Sequence, residues 1–353
     1  MIDVLDSVTT DHYTMIHGDC CDVLRQLPDE SIDFGIHSPP FANLYIYSSS
    51  DADMGNCSSN GEFIEHYGYA IKEMFRATVP GRCCAVHCKD LPKYANRDDT
   101  AGLIDFPGMI IREYERHGWS FHSRVTIWKC PVTERERTNN NGLLHKTVLR
   151  DRSQLRQGMA DYLIVFRRPP VGTLMSAKPV ENVETKIDPE TFEPVKIRKG
   201  FSEYIGDQEC DPRTSESHPS PFSRNKHATE GSIDIWRRYA EPVWWDIDQM
   251  DVLNYKPARG DRDERHICPL QLGLIERAVC LWSNPGDVVF SPFAGVGSEG
   301  CGAIRHGRKF LGVELKAEYF DRACQNLDHE IRMANRKQQP TLAFDDVEGT
   351  AHA

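Results

Sequence analysis

Short apolar segments alternate with longer amphipathic segments along the first 168 residues. The short segments have the two-residue period of strands, whereas the longer ones repeat apolar residues at the spacing of a helix. Strands are predicted around residues 13–16, 32–36, 82–87, 121–128 and 162–166, and helices around 20–27, 63–78 and 103–117. Alternation of this kind predicts an α/β fold with a doubly wound, mostly parallel sheet.

The alternation stops between about residues 169 and 259, where Pro, Ser, Glu and Asp are frequent and apolar groups are short. We interpret 169–259 as an inserted, irregular module with long loops. Residues 1–168 and 260–334 are then two parts of one sheet domain. The remainder, 335–353, shows no period and is predicted to be a flexible tail.

A regular pattern returns at Pro269. Apolar residues from 270 to 281 share one helical face, and proline is favoured at such a helix start. Strands at 287–290 and 309–313 follow, and then an amphipathic helix at 317–331. The second part of the chain therefore repeats the strand–helix alternation of the first.

The composition argues against several classes of protein. No segment of the 353 residues contains the roughly 18 consecutive apolar residues of a membrane span, and the first residues lack the features of a signal peptide. We therefore expect a cytoplasmic protein whose 12 cysteines are reduced thiols. Cys83, Cys84, His87 and Cys88 lie close together in a predicted buried strand, so we interpret them as core residues and expect no metal site.

Charge is distributed unevenly along the chain. The formal net charge is −11, which argues against a protein that coats nucleic acid without specificity. Between Arg124 and Arg168, however, the chain contains ten Lys and Arg residues and four Asp and Glu residues. A basic stretch of this kind is typical of a phosphate-binding face, although an ordinary solvated surface can have the same composition.

The sequence SPPF (residues 38–41, the proline loop) directly follows a predicted strand. Pro39 and Pro40 have no backbone N–H and each fixes φ near about −65°, so the segment extends neither a sheet nor a helix. The sequence therefore predicts a stiff loop that holds the Ser38 hydroxyl, carbonyl oxygens and the Phe41 ring in place.

A second loop, SPFAGVG (residues 291–297, the glycine loop), lies between two strands of the second part. Glu314 ends the later strand, nineteen residues after Gly295. Glycines let the backbone approach a ligand, and a carboxylate in this place accepts hydrogen bonds from ribose hydroxyls. Because Phe293 would crowd a pyrophosphate, a nucleoside without phosphates is favoured. Tight turns also need glycine for conformation alone, so this loop by itself leaves its role open.

Together the two loops resemble motifs of a known family. SPPF resembles motif IV of the DNA amino-methyltransferases, and SPFAGVGSEG resembles their cofactor loop, with the motif order of the beta class. The segments GWSFHSRVTIWKCPV, ADYLIVFRR and GRKFLGVELKAEYFDRA are similar to further segments of that family. The resemblance implies a Rossmann-like methyltransferase fold with a circularly permuted motif order, in which 169–259 is a target-recognition module.

The resemblance implies S-adenosyl-L-methionine as the cofactor and double-stranded DNA as the partner. The implied catalytic residues are Ser38, Pro39, Pro40 and Phe41. Ser38 and the carbonyl of Pro39 accept the hydrogens of an exocyclic amino group, and Phe41 stacks on a flipped base. The implied cofactor-binding residues are Asp19, His266, Pro269, Leu270, Ser291, Phe293, Ala294, Gly295, Gly297 and Glu314.

The sequence departs from the family pattern at two positions. Ser291 stands where many members have aspartate, and Cys268 stands where lysine is frequent. The first departure removes an expected hydrogen-bond acceptor from the cofactor loop, so we expect lower cofactor affinity. Candidate DNA-binding residues are Arg135, Arg137, Lys146, Arg150, Arg152 and Arg156.

The target base is also suggested by the resemblance. Ser-Pro-Pro-aromatic is usual for members that methylate cytosine N4, and Asp-Pro-Pro-Tyr for those that methylate adenine N6. Cytosine N4 is therefore the favoured target, with adenine N6 as the alternative. RNA methylation by the same fold and a non-catalytic DNA-binding role are more distant alternatives. A cognate restriction endonuclease and a second copy of the chain are further candidate partners, and no membrane is expected.

Overall fold

The computed structural model describes residues 5–40, 54–93, 100–138, 145–172, 175–178, 183–187, 191–198, 236, 238–255 and 269–338. The strands are β1 (Asp6–Thr9), β2 (Tyr13–His17), β3 (Ile32–His37), β4 (Thr78–Lys89), β5 (Leu91–Lys93), β6 (Gly102–Ile104), β7 (Ser120–Ile127), β8 (Asp161–Arg167), β9 (Val183–Ile187), β10 (Pro194–Arg198), β11 (Val243–Trp244), β12 (Val288–Ser291) and β13 (Lys309–Glu314). The helices are α1 (Cys20–Gln26), α2 (Asn60–Ala77), α3 (Phe106–Arg116), α4 (Pro131–Thr138), α5 (His145–Arg150), α6 (Leu272–Trp282), α7 (Ser298–Arg305) and α8 (Ala317–Gln338).

Nine strands form one mixed sheet in the order β1-β2-β13-β12-β3-β4-β8-β7-β11. Strands β2, β13, β12, β3 and β4 run parallel to one another, and β1 pairs with β2 antiparallel. Strand β8 runs antiparallel to both β4 and β7. The predicted α/β fold with a doubly wound, mostly parallel sheet is therefore confirmed.

The strand order reverses direction between β12 and β3. From β12 the chain continues to β13 on one side, whereas from β3 it continues to β4 on the other. The two strands pair in parallel, with Val289 opposite Phe34 and Phe290 opposite Gly35. In open α/β sheets, ligands bind at the carboxyl ends of the strands that flank such a reversal. The segments that follow β3 and β12 are the proline loop and the glycine loop.

Helices cover both faces of the sheet. Helices α1, α2 and α3 pack their apolar residues on one face, and α6, α7 and α8 pack on the other. Helix α2 illustrates the local cause: Phe63, Tyr67, Ile71 and Met74 recur at helical spacing and are fully buried. Burial of such a stripe stabilises a helix more than its intrinsic propensity does.

Most of the predicted elements are present, with small shifts at their ends. The helix predicted to begin with Pro269 begins at Leu272, and Gln271 occupies its N-cap position. The helix predicted at 103–117 is shorter, because residues 102–104 form β6 and Asp105 caps α3 by accepting a hydrogen bond from Gly108 N. Helix α8 extends beyond its predicted end, to Gln338.

Parts of the segment predicted as an inserted module are described. Strands β9 and β10 form a separate two-stranded sheet. Strand β11, in contrast, pairs in parallel with β7 at one end of the main sheet, and Trp244 is fully buried in the main core. Asp246 accepts two hydrogen bonds from Arg277 of α6, at 3.0 and 2.9 Å. Residues 243–246 therefore pack as part of the sheet domain.

None of the helices in the described ranges has the length and apolar character that crossing a bilayer requires. The flexible tail is predicted for residues 335–353, but residues 335–338 continue helix α8, whose amphipathic pattern extends that far. Residues 339–353 lie outside the described residues.

Candidate active site

Ser38 is the first residue after β3, at the carboxyl end of the strand. Its Oγ lies 3.2 Å from the main-chain oxygen of His87 and 3.4 Å from Nδ1 of the same residue. The register of β3 and β4 explains this contact. His37 pairs with Val86, so the residues that follow them, Ser38 and His87, lie next to each other. Ser38 is therefore held against β4 by its own side chain.

The two prolines of the proline loop follow at once. Pro39 is buried and Pro40 is half-buried, so this part of the loop packs against the protein. Phe41, the fourth predicted catalytic residue, lies outside the described residues.

A buried ionic cluster lies behind Ser38. Nε2 of His87 is 3.1 Å from Oδ2 of Asp161, and Nζ of Lys129 is 2.8 Å from the same oxygen. These three side chains are each at most 10% exposed. Burial alone raises the pKa of Asp161, but the hydrogen bond from His87 and the charges of Lys129 and Lys89 outweigh burial and lower that pKa below its ordinary value. Asp161 is therefore ionised.

The glycine loop wraps around the carboxylate of Glu314, the last residue of β13. The backbone N–H of Gly295 donates to Oε2 at 2.8 Å, and the N–H of Lys316 donates to Oε1 at 2.9 Å. Gly295 and Gly297 have φ angles of 52° and 86°, a region that favours glycine. A Cβ at Gly295 would meet no described atom within 4 Å, so the backbone there faces open space.

Three buried polar groups lie at the two ends of the glycine loop. The Oγ atoms of Ser291 and Ser298 are buried and have no hydrogen-bond partner among the described residues. Glu299, in the first turn of α7, is 5% exposed. Burial raises the pKa of Glu299 to about 8, and the nearby carboxylate of Glu314 contributes to the increase. Ser291 and Ser298 thus offer unused hydrogen-bonding capacity beside the loop.

Phe293 of the glycine loop packs against His37, the residue that precedes the proline loop. Its ring is 5.8 Å from the ring of His37 at an angle of 62°, and 6.1 Å from the ring of Tyr67. His37 is fully buried, its Nε2 is 2.6 Å from the Tyr67 hydroxyl, and burial lowers its pKa to about 3. The histidine that precedes the proline loop is therefore a neutral core residue, and Phe293 packs on it.

The entry segment after β2 reaches the same edge of the sheet. Gly18 N donates to the main-chain oxygen of Glu314 at 3.0 Å. Asp19, which the resemblance places among the cofactor-binding residues, caps α1 by accepting a hydrogen bond from Asp22 N at 3.0 Å. Leu270 is 5% exposed and belongs to the core, and Pro269 is half-buried. His266 lies outside the described residues.

A family model described as DNA methylase (N6_N4_Mtase) matches residues 32–325, which include both loops. The chain belongs to this DNA methylase family. The predicted relationship to the DNA amino-methyltransferases is therefore confirmed.

Individual relatives share shorter or weaker similarity. The chain is 21% identical to the type II methyltransferase M.BamHI of Bacillus amyloliquefaciens over 331 residues, which are 93% of the chain and 60% of the relative. It is 41% identical to the DNA adenine methyltransferase YhdJ of Escherichia coli over 84 residues, which are 24% of the chain and 26% of the relative. The matched part covers less than two thirds of the length of either relative.

Solved structures share the fold. TTHA0409 of Thermus thermophilus, in complex with S-adenosyl-L-methionine, has a TM-score of 0.56 and 20% identity, covering 91% of this chain and 96% of the other. The PvuII DNA methyltransferase, which is cytosine-N4-specific, has a TM-score of 0.54 and 15% identity, with 93% of each chain covered. The predicted Rossmann-like methyltransferase fold is confirmed.

Several cations of the predicted basic stretch make contacts within the protein. Lys129 pairs with buried Asp161, and Arg167 and Arg168 donate to main-chain oxygens of the neighbouring segments. Arg156 also donates to a main-chain oxygen, that of Gly102, at 3.2 Å. These four cations have structural partners.

The remaining candidate DNA-binding residues differ in exposure. Lys146 and Arg150 of α5 and Arg152 of the next short helical turn are exposed, and Arg135 of α4 is half-buried. Arg137 lies in α4, but its side chain is not among those described.

Sequence reasoning missed the contacts of His87 with Ser38 and Asp161. It grouped His87 with Cys83, Cys84 and Cys88, and these three cysteines are indeed buried in β4. Among the described residues there is no group of three or more side chains arranged to hold a metal ion. The available signal was position, because His87 comes two residues before the end of a strand beside the proline loop, where side chains reach the ligand-binding edge.

Proposed function

We propose that this DNA methylase transfers a methyl group from S-adenosyl-L-methionine to the exocyclic amino nitrogen of a flipped base in double-stranded DNA, with cytosine N4 as the favoured target. One observation carries the proposal. The proline loop and the glycine loop follow β3 and β12, two adjacent parallel strands at the reversal of the strand order. A base acceptor beside the first loop and a methyl donor beside the second would then be neighbours.

The residues at the glycine loop fit the methyl donor. The carboxylate of Glu314 is fixed by hydrogen bonds from the backbone N–H groups of Gly295 and Lys316, and it is proposed to accept a hydrogen bond from a ribose hydroxyl as well. The open backbone at Gly295 offers further polar contacts, as do the hydroxyls of Ser291 and Ser298, which have no hydrogen-bond partner within the described part of the chain. When bound, S-adenosyl-L-methionine supplies a methyl group activated by a positively charged sulfonium.

The proline loop fits the acceptor. An exocyclic amino nitrogen is a poor nucleophile because its lone pair is delocalised into the base. Ser38 Oγ and the carbonyl of Pro39 are proposed to accept its two hydrogens, which draws the nitrogen toward tetrahedral geometry. Because prolines stiffen the loop, these acceptors need little reorganisation during the reaction. Phe41 is proposed to stack on the flipped base.

The choice of cytosine as the proposed target base is based on the sequence of the proline loop. Ser-Pro-Pro-aromatic supports cytosine N4, and the PvuII methyltransferase, whose fold is similar, is cytosine-N4-specific. Adenine N6 is the second candidate, because the segment shared with YhdJ, a DNA adenine methyltransferase, is 41% identical.

The partners follow from the same proposal. Lys146, Arg150 and Arg152 are proposed to contact DNA phosphates, and residues 169–259 to contribute to target recognition. Because M.BamHI is a type II methyltransferase, a cognate restriction endonuclease is a candidate partner, as is a second copy of this chain.

The decisive test is product analysis. Purified protein is incubated with isotope-labelled S-adenosyl-L-methionine and unmethylated duplex DNA, and the DNA is digested to nucleosides for mass spectrometry. Labelled N4-methylcytosine is expected. Labelled N6-methyladenine alone would replace cytosine with the alternative target. Label confined to a structured RNA offered in parallel, or no label at all, would contradict the proposal.

A further inference from the structure

We propose that His87 and Asp161 are positioning residues that fix the direction of the Ser38 hydroxyl. The proposal rests on the proposed function, in which Ser38 Oγ accepts a hydrogen from the amino group of the base. It adds a specific requirement to that function: the Ser38 lone pairs must not be used by neighbouring protein groups.

Sheet topology brings the three residues together. Ser38 follows β3, and His87 lies near the carboxyl end of the adjacent strand β4. Because β8 is antiparallel to β4, its first residue, Asp161, lies at this same edge, opposite Lys89. The contacts then run from Ser38 Oγ to His87 Nδ1 at 3.4 Å, and from His87 Nε2 to Asp161 Oδ2 at 3.1 Å.

The protonation of Asp161 decides which nitrogen of His87 carries the hydrogen. An ionised carboxylate only accepts hydrogen bonds, so Nε2 must be the donor in this contact. In the neutral ring, Nδ1 is then left without a hydrogen and can only accept. The Asp161 contact therefore selects one tautomer of His87.

That tautomer determines what remains available on Ser38. Both groups near its Oγ, the His87 main-chain oxygen at 3.2 Å and Nδ1, are acceptors, so the hydroxyl hydrogen points to His87. Both lone pairs of Oγ are then free of these contacts. With the opposite tautomer, Nδ1 would donate to Oγ and occupy one of the lone pairs that the amino group needs.

Lys129 keeps this arrangement in place. Its Nζ lies 2.8 Å from Asp161 Oδ2, and both side chains are nearly fully buried. A buried cation beside the carboxylate favours the ionised form, on which the tautomer depends. The adjacent Lys89 is partly neutralised by Glu134, at 3.1 Å.

A histidine–carboxylate pair far from Ser38 provides a control for the positioning role. His117 and Glu113 form a comparable pair on α3, with His117 Nε2 3.0 Å from the Glu113 carboxylate. Among the described residues, the hydrogen bonds of His117 are to residues of α3 and not to either loop. His117→Gln is therefore a matched control for His87→Gln.

The first experiment is a double-mutant cycle with Ser38→Ala and His87→Gln. Glutamine keeps a donor for Asp161 but removes the acceptor from the Nδ1 position. We expect His87→Gln to lower kcat about 10-fold, which corresponds to about 1.4 kcal/mol, with KM for donor and DNA nearly unchanged. His117→Gln should retain the wild-type kcat.

The double variant distinguishes positioning from structural damage. If His87 acts through Ser38, Ser38→Ala with His87→Gln should be no slower than Ser38→Ala alone. Rate losses that multiply in the double variant would overturn the proposal. Loss of kcat accompanied by a large rise in both KM values would do the same.

The second experiment needs neither cofactor nor DNA. Nitrogen-15 NMR of the wild-type protein, labelled at histidine and assigned by comparison with His87→Gln, reports the tautomer directly. We expect a protonated Nε2 and a bare Nδ1 for His87. A protonated Nδ1 in the neutral ring would refute the positioning role even if the enzyme is active. An inactive wild-type enzyme would instead contradict the proposed function, and the NMR result would be unaffected.

Discussion

The Phe293 ring of the glycine loop packs against the His37 ring of β3, with 5.8 Å between their centroids. The two residues are 256 positions apart in the chain. This contact lies between the proposed donor and acceptor sites, because Phe293 belongs to the glycine loop and His37 directly precedes the proline loop. The contact couples the glycine loop to the strand that leads into the proline loop.

We expect Phe293→Ala to weaken this coupling. The half-buried ring contacts His37 and Tyr67, so its removal should lower the free energy of unfolding by about 1–3 kcal/mol, less than for a fully buried phenylalanine. Affinity for S-adenosyl-L-methionine should fall as well. Chemical denaturation and calorimetry measure the two effects. Phe192→Ala, at a side chain 78% exposed, is the control and should change neither.

Glu314→Gln should reduce cofactor affinity. The amide group cannot accept hydrogen bonds at both positions, so either the glycine loop or the ribose loses an acceptor. We expect the Kd for S-adenosyl-L-methionine to rise about 10-fold or more, since a lost charge-assisted hydrogen bond costs about 1.5–3 kcal/mol. Titration calorimetry with the cofactor measures it. Glu318→Gln, at an exposed position in α8, should leave the Kd unchanged, and an equal Kd for Glu314→Gln would refute the assignment.

Glu299 should make stability depend on pH. Its pKa is raised to about 8 in the folded protein, so the folded state holds a proton that the unfolded state releases above its ordinary pKa of 4.5. The contribution of Glu299 to the free energy of unfolding is therefore complete below pH 4.5. It decreases by about 1.4 kcal/mol per pH unit as the pH rises to about 8.

Glu299→Gln removes that dependence. The variant should gain stability relative to the wild type as pH increases across this range, when unfolding is followed by denaturant titration at several pH values. Glu115→Gln, at an exposed position in α3, is the matched control and should show a constant difference. A constant difference for Glu299→Gln would show that the carboxyl is ionised throughout.

Replacing Arg150 and Arg152 with Ala should weaken DNA binding and its dependence on salt. Each phosphate contact contributes about −0.9 to the slope of log K against log salt concentration, so the double variant should lose up to about 2 units of slope. Binding measured at several salt concentrations tests this. The double variant Arg112→Ala with Arg116→Ala removes two exposed arginines from α3 and should keep the wild-type slope. Unchanged affinity in the first variant would exclude α5 and its neighbouring turn from the DNA contact.

The sequence was sufficient to predict the elements near the two loops. Strands around 32–36 and 309–313 and the turn at Gly295 have strong local signals, since apolar period, proline and glycine act over a few residues. The position of Glu314 at a strand end followed from the same local pattern. These features could be predicted without knowledge of the sheet order.

Features that depend on distant contacts could not be predicted in this way. His87 lies in a strand buried on both faces, so its pattern could not show that its ring reaches Ser38 and Asp161. Val243-Trp244 was too short to predict a strand, yet pairing with β7 places it in the main sheet. Such assignments need the strand order, which is set by packing between segments far apart in sequence.

The adjacency of β3 and β12 also affects synthesis. Strand β3 is fully buried in the finished sheet, but the partner for one of its sides is made more than 250 residues later. In the nascent chain, the backbone N–H and C=O groups along that side of β3 therefore stay unpaired until β12 emerges from the ribosome. A strand without its partner can pair with other chains, so incomplete translation products of this protein should aggregate more readily than the full-length protein.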